Sequence, residues 1–139
     1  MSEEEKIQGF VGELRVLEAY YNELIARENA IARVTVDNRA AMEALRNLPQ
    51  ESGSELLLPI GGGVLIRVQH MSPDRFVLSL GADVAIEKTK EGVMTYLGER
   101  SKELESALSN LSAQKINLEN QINSKREEIN NLASKLRMG

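Results

Sequence analysis

The 139-residue chain is 42% hydrophobic but only 4% aromatic, has no Trp and no Cys, and carries a formal net charge of -4. That length suits one domain. The missing cysteines exclude a disulfide framework and thiolate chemistry, and the acidic balance without a basic tract argues against a nucleic-acid partner.

The opening run MSEEEK is acidic and unlike a signal peptide. No apolar stretch approaches the roughly 20 residues that a membrane helix needs. A soluble, cytoplasmic protein with no membrane partner is expected. From Glu3 to Leu48 there is no Pro and glycine occurs only at Gly9 and Gly12, which predicts one long helix. Ser2 followed by Glu5 forms a capping-box pattern, and Glu3, Glu4 and Glu5 suit a positive helix N-terminus. Apolar residues recur at alternating steps of three and four through Ile7, Phe10, Leu14, Leu17, Tyr21, Leu24 and Ile31, and again at Met42 and Leu45. That period is the heptad signature of a left-handed coiled coil. Glu28, Thr35 and Asn38 interrupt the stripe, as polar residues that fix register do. Pro49 disfavours helical geometry in the residue before it and should stop the helix near Leu48.

The stretch from Ser54 to Thr89 is unlike the rest of the chain. It is rich in Val, Ile and Leu and holds four of the ten glycines. Leu56 to Ile60 reads as a strand, with Pro59 marking an edge or an end. Gly61, Gly62 and Gly63 make a flexible turn that allows positive φ wherever it is required. Val64 to Gln69 alternates as a second strand, with Val64, Ile66 and Val68 on one face. Ser72, Pro73 and Asp74 form a turn. Phe76, Leu78 and Leu80 line one face of a third strand, Gly81 to Asp83 turn the chain, and a fourth strand begins at Val84. Hairpins this small are not stable alone, and their edges invite pairing with other chains. Leu56, Leu58, Val64, Ile66, Val68, Phe76, Leu78, Leu80 and Val84 are therefore expected to build an inter-subunit sheet or barrel, which makes the protein an oligomer.

From about Lys88 to Leu136 a second long helix is expected. Its stripe runs through Met94, Leu97, Ser101, Leu104, Leu108, Leu111, Lys115, Leu118, Ile122, Lys125, Ile129, Leu132 and Leu136. At 1.5 Å per residue it would be roughly 70 Å long. Neither helix can bury its stripe alone, and an antiparallel pairing within the chain is the economical arrangement. One register sets Phe10 against Ile129, Leu17 against Ile122, Tyr21 against Leu118 and Leu45 against Met94. It also sets Asn38 opposite Ser101 and puts Glu28 within reach of Lys115. Spacing alone leaves a register one heptad away open. The chain divides into an N-terminal helix (1–48), a hairpin platform (49–87) and a C-terminal helix (88–139). The fold class is α+β: a long antiparallel two-helix coiled coil joined by two β-hairpins that assemble between subunits.

Little in the sequence supports catalysis. LPIGGGVL lacks the Lys-Ser/Thr ending of a phosphate loop and is not followed by a helix. His70 is the sole histidine and sits near a turn, so neither a metal cluster nor a histidine-based triad is expected. No cofactor and no enzymatic activity are expected. In the preferred register both termini end at one tip, and the apolar residues there are Ile7, Phe10, Val11, Leu14, Ile129, Leu132, Leu136 and Met138. Packing at the end of the seam accounts for some of them. Val11 beside the seam, and Leu136 and Met138 at a fraying end, have more reason to meet a partner.

The order of long helix, two hairpins and long helix resembles the prefoldin alpha-subunit family in its archaeal, two-hairpin form. The similarity rests on LeuProIleGlyGlyGly at 58–63, LeuSerLeuGlyAlaAspVal at 78–84 and IleGluLysThr at 86–89. Asp83 departs from it, since relatives often carry a further Gly there, but Asp tolerates left-handed backbone. The resemblance implies a chaperone without ATPase activity, in which two alpha and four beta-type subunits form a hexamer through their hairpins. Its coiled-coil tips would hold unfolded proteins and pass them to a group II chaperonin. The residues alone leave a structural scaffold or filament as the alternative.

Overall fold

A computed structural model describes residues 2–70 and 74–138. The elements are α1 (Glu3–Asn47), β1 (Ser54–Gly61), β2 (Val64–His70), β3 (Phe76–Gly81), β4 (Val84–Lys88) and α2 (Lys90–Met138). Of the expected turn at Ser72, Pro73 and Asp74, only Asp74 lies among the described residues.

Local chemistry sets the helix ends. The Glu5 amide donates to Ser2 Oγ at 3.2 Å and the Lys6 amide to Ser2 O at 3.1 Å, so Ser2 is the N-cap of α1. The Gly92 amide donates to Thr89 Oγ1 at 3.1 Å and the Val93 amide to Thr89 O at 3.0 Å. Thr89 is thus the N-cap of α2, and the extended chain of β4 runs up to Lys88. The helix therefore begins two residues beyond the boundary at 88 that spacing alone suggests. An N-cap needs non-helical backbone, and Thr89 supplies both that and the oxygen.

The chain forms two compact units, residues 1–34 with 104–139 and residues 35–103. In the first, α1 and α2 pack antiparallel around Leu24, which is 0% exposed, with Leu111 and Leu118 buried against it. Leu17, Tyr21 and Ile31 pack onto that cluster. In the second, Leu45, Val93 and Leu97 are buried, and Met42, Leu48, Phe76, Met94 and Tyr96 pack around them. Val93 lies off the heptad stripe. It is buried because Phe76 of β3 and Leu48 join this cluster, so the packed face is wider here than a two-helix seam.

β1 pairs with β2 and β3 with β4, both antiparallel, as two separate two-stranded sheets. Leu56 faces Val68 and Leu58 faces Ile66, while Leu78 faces Ile86. The two turns have the same construction. Each has a register shift at a positive-φ glycine, Gly61 or Gly81, followed by two further positive-φ residues. These are Gly62 and Gly63 in one hairpin, and Ala82 (φ 51°) and Asp83 (φ 61°) in the other. Two successive left-handed residues match the twist of antiparallel strands. Asp83 tolerates that geometry, whereas Ala82 occupies it at a steric cost.

Candidate functional site

Two surfaces stand out, one in each unit. In the unit of residues 35–103 it is the hairpins. Pairing puts Leu56, Leu58, Ile66 and Val68 on one face of the first hairpin, and Phe76, Leu78 and Ile86 on one face of the second. Leu56, Val68, Phe76 and Leu78 are half-buried, while Leu58, Val64, Ile66, Leu80 and Val84 are exposed. Exposure is not confined to that face. Leu57 and Leu65 on the other side of the first hairpin, Ile60 near its turn and Val77 on β3 are exposed as well. Strict alternation marks one face only, and Leu57, Leu65 and Val77 share the second face with Glu55, Arg67, Gln69 and Glu87. Polar residues on the second face form exposed pairs: Arg67 with Glu55 at 3.7 Å and Arg75 with Glu87 at 3.2 Å. His70 packs beside Phe76, ring centroids 6.1 Å apart. Exposed apolar side chains thus lie on both faces of the hairpins.

In the unit of residues 1–34 and 104–139, the surface lies where α1 begins and α2 ends. Ile7, Phe10, Val11, Leu14, Ile129 and Leu132 are half-buried. Leu136 is 41% exposed and Met138 89%. One side chain ties the two helices together here. Lys125 Nζ lies 4.4 Å from the Phe10 ring centroid, 2.7 Å from Glu13 Oε2 and 3.3 Å from Glu128 Oε2. The hydrogen bond to Glu13 raises the Lys125 pKa above the usual lysine range, against the opposing effect of burial. Spacing places Lys125 in the seam but does not reveal its ring contact.

Polar layers fix how the helices meet. Within the first unit, Lys115 Nζ pairs with Glu28 Oε1 at 3.1 Å, and that contact raises the Lys115 pKa. Tyr21 donates to Glu119 Oε1 at 2.7 Å. The same hydrogen bond, together with burial, raises the tyrosine pKa. Within the second unit, the Asn38 amide donates to Ser101 Oγ at 2.7 Å and to Leu97 O at 3.0 Å. Both polar contacts anticipated from antiparallel pairing, Asn38 with Ser101 and Glu28 with Lys115, are thus made.

Among the described residues no group of three or more His, Cys, Asp or Glu is placed to hold a metal ion, and no helix is long and apolar enough to cross a membrane. What the two surfaces can do chemically is bury apolar area against other polypeptides.

The sequence profile of the Prefoldin family, described as "Prefoldin subunit", matches residues 17–136. A prefoldin subunit alpha of Nitrosopumilus maritimus is 31% identical over 129 residues, 93% of this chain and 89% of the relative. A prefoldin subunit alpha of Methanospirillum hungatei is 35% identical over 95 residues, 68% of this chain and 61% of the relative. Among solved structures, the prefoldin beta subunit from Thermococcus strain KS-1 aligns with a TM-score of 0.62 at 14% identity, covering 89% of each chain. Filamentous PFD from Methanocaldococcus jannaschii aligns with a TM-score of 0.52 at 20% identity, covering 89% of this chain and 98% of that one. At such identities the two structures share the fold.

Proposed function

The chain belongs to the prefoldin family as an alpha-type chaperone subunit, and from that premise we propose that its two apolar surfaces divide the work of holding unfolded protein. The hairpin faces join beta-type subunits, with two alpha and four beta subunits closing a shared β-barrel platform. The paired helix ends, with Ile7, Phe10, Val11, Leu14, Leu132, Leu136 and Met138, take the client. The complex acts in the cytoplasm without a nucleotide step and passes its client to a group II chaperonin.

The observation that carries the client site is the exposure of Leu136 and Met138 beside half-buried apolar neighbours on α1 and α2. A non-native chain gains roughly 25 cal/mol per Å² of apolar surface that it buries. One helix end offers little area and binds weakly. Several ends in one complex raise the effective concentration for each later contact. Leu and Met adapt to many client shapes, which promiscuous holding requires. Nothing favours a purely structural filament over this reading.

The test is Leu136→Ser with Met138→Ser. Both side chains are exposed, so melting temperature and subunit assembly should not change. Suppression of aggregation of a guanidinium-denatured test protein should fall by about half or more, from the lost apolar area. Unchanged suppression would remove these residues from the client site.

A further inference from the structure

Lys125 occupies a seam slot between Ile122 and Ile129, where the heptad pattern calls for an apolar side chain. A lysine in such a slot ordinarily snorkels, running its stem along the seam and its ammonium out to water. Here the side chain is only 20% exposed. Its ammonium lies over the face of Phe10, held by one carboxylate from each helix, Glu13 of α1 and Glu128 of α2. The ring face turned toward Lys125 is therefore covered by a cation. An apolar segment cannot stack on that face while the ammonium is there.

We propose that Lys125 is a latch that sets the affinity of the helix ends for clients, covering Phe10 until an apolar segment displaces it. This rests on the helix ends being the client site. The contacts that hold the latch are electrostatic: a cation–π contact and two ion pairs with partly exposed carboxylates. Such contacts weaken with salt, whereas apolar stacking on a bare ring does not. The latch makes a weak or purely polar segment pay a displacement cost that a long apolar segment repays. It therefore selects for extended apolar stretches, the mark of a non-native chain. Phe10, Glu13, Lys125 and Glu128 all lie within one unit of the chain.

The chain has two phenylalanines, Phe10 and Phe76. Full-length protein labelled with para-fluorophenylalanine therefore gives one 19F resonance at the latch and an internal control in the hairpins. The probe is a peptide of Leu, Phe, Ser and Gly with capped ends and an uncharged dansyl label. In the native chain the peptide should shift the Phe10 resonance and leave Phe76 unmoved. Adding NaCl up to about 0.3 M, a range that screens ion pairs at short Debye length, should tighten binding. Lys125→Ala should shift Phe10, bind the peptide about fivefold more tightly and lose the salt response. Glu13→Gln, at a mostly exposed position, should give a smaller change in the same direction with an unaltered melting temperature. If the peptide shifts Phe10 but both variants bind with native affinity and native salt response, the helix ends bind clients and the latch is wrong. Weaker binding by Lys125→Ala at an unaltered melting temperature would make Lys125 a direct client contact and would also overturn the latch. If the peptide binds without moving Phe10, the client site lies elsewhere, and the proposal falls together with the reading it rests on.

Discussion

Asn38 is 5% exposed in a polar layer that it shares with Ser101, and its removal separates two effects that buried polar groups combine. Asn38→Ala loses the hydrogen bonds to Ser101 Oγ and Leu97 O, at about 1 kcal/mol each. Leu97 O keeps its place in the α2 ladder through i→i-4 geometry, and the Ser101 hydroxyl keeps a contact with Met42 Sδ at 3.8 Å. No carbonyl is orphaned, so the remaining cost is the small cavity. The total should be about 2–3 kcal/mol of destabilisation. Asn38→Leu with Ser101→Leu replaces both partners by apolar groups. Burying each leucine is worth about 1.5–3 kcal/mol against the same two hydrogen bonds. The double variant should exceed the native chain by about 1–4 kcal/mol, since matched polar layers in coiled coils cost stability and hold register. Urea denaturation followed by helical circular dichroism, at fixed protein concentration, measures both. A double variant less stable than the native chain would show that the layer is net stabilising and that the pairing energies used here do not apply to this seam.

Tyr21→Phe should lower stability by an amount that is constant from neutral pH up to about pH 10.0, the ordinary tyrosine value. The bond to Glu119 raises the folded-state pKa, so its contribution is fully present below the unfolded value and is lost as pH rises through the folded one. The gap between native and variant should therefore shrink above pH 10, and a gap that widens there would contradict the assigned proton donor. Ile66→Asp with Leu78→Asp should leave the helical signal but give monomers or small oligomers in analytical ultracentrifugation. A hexamer-sized species from that variant with beta-type subunits would place assembly elsewhere.

The helical part of the fold was legible because each helix repeats one constraint many times. Leu24, Leu111, Leu118 and Ile122 are buried where the heptad spacing puts them, and local errors average out over such a stripe. Antiparallel pairing then carried enough information to match Asn38 with Ser101 and Glu28 with Lys115. Val93 was not legible, because its burial comes from Phe76 and Leu48, residues that no helical period connects to it. The start of α2 at Lys90 was blurred by Thr89, whose β-branched side chain fits the end of a strand and the cap of a helix equally well. Exposure on both hairpin faces was only half legible. Alternation marks one face, whereas Leu57 and Leu65 break it. At the helix ends the sequence named the apolar residues but not the cation over Phe10, which depends on how far a flexible lysine reaches across the seam.

The proposed client site is tested most directly by cutting most of it away. Deleting residues 1–10 and 130–139 takes a little over two helical turns from each helix and leaves the hairpins and both buried clusters in place. Combined with beta-type subunits, the truncated chain should give the same native mass as the full-length chain in analytical ultracentrifugation. Its suppression of aggregation of a denatured test protein should drop sharply. A truncated complex that assembles and suppresses aggregation as well as the full-length one would contradict the assignment of client holding to the paired helix ends.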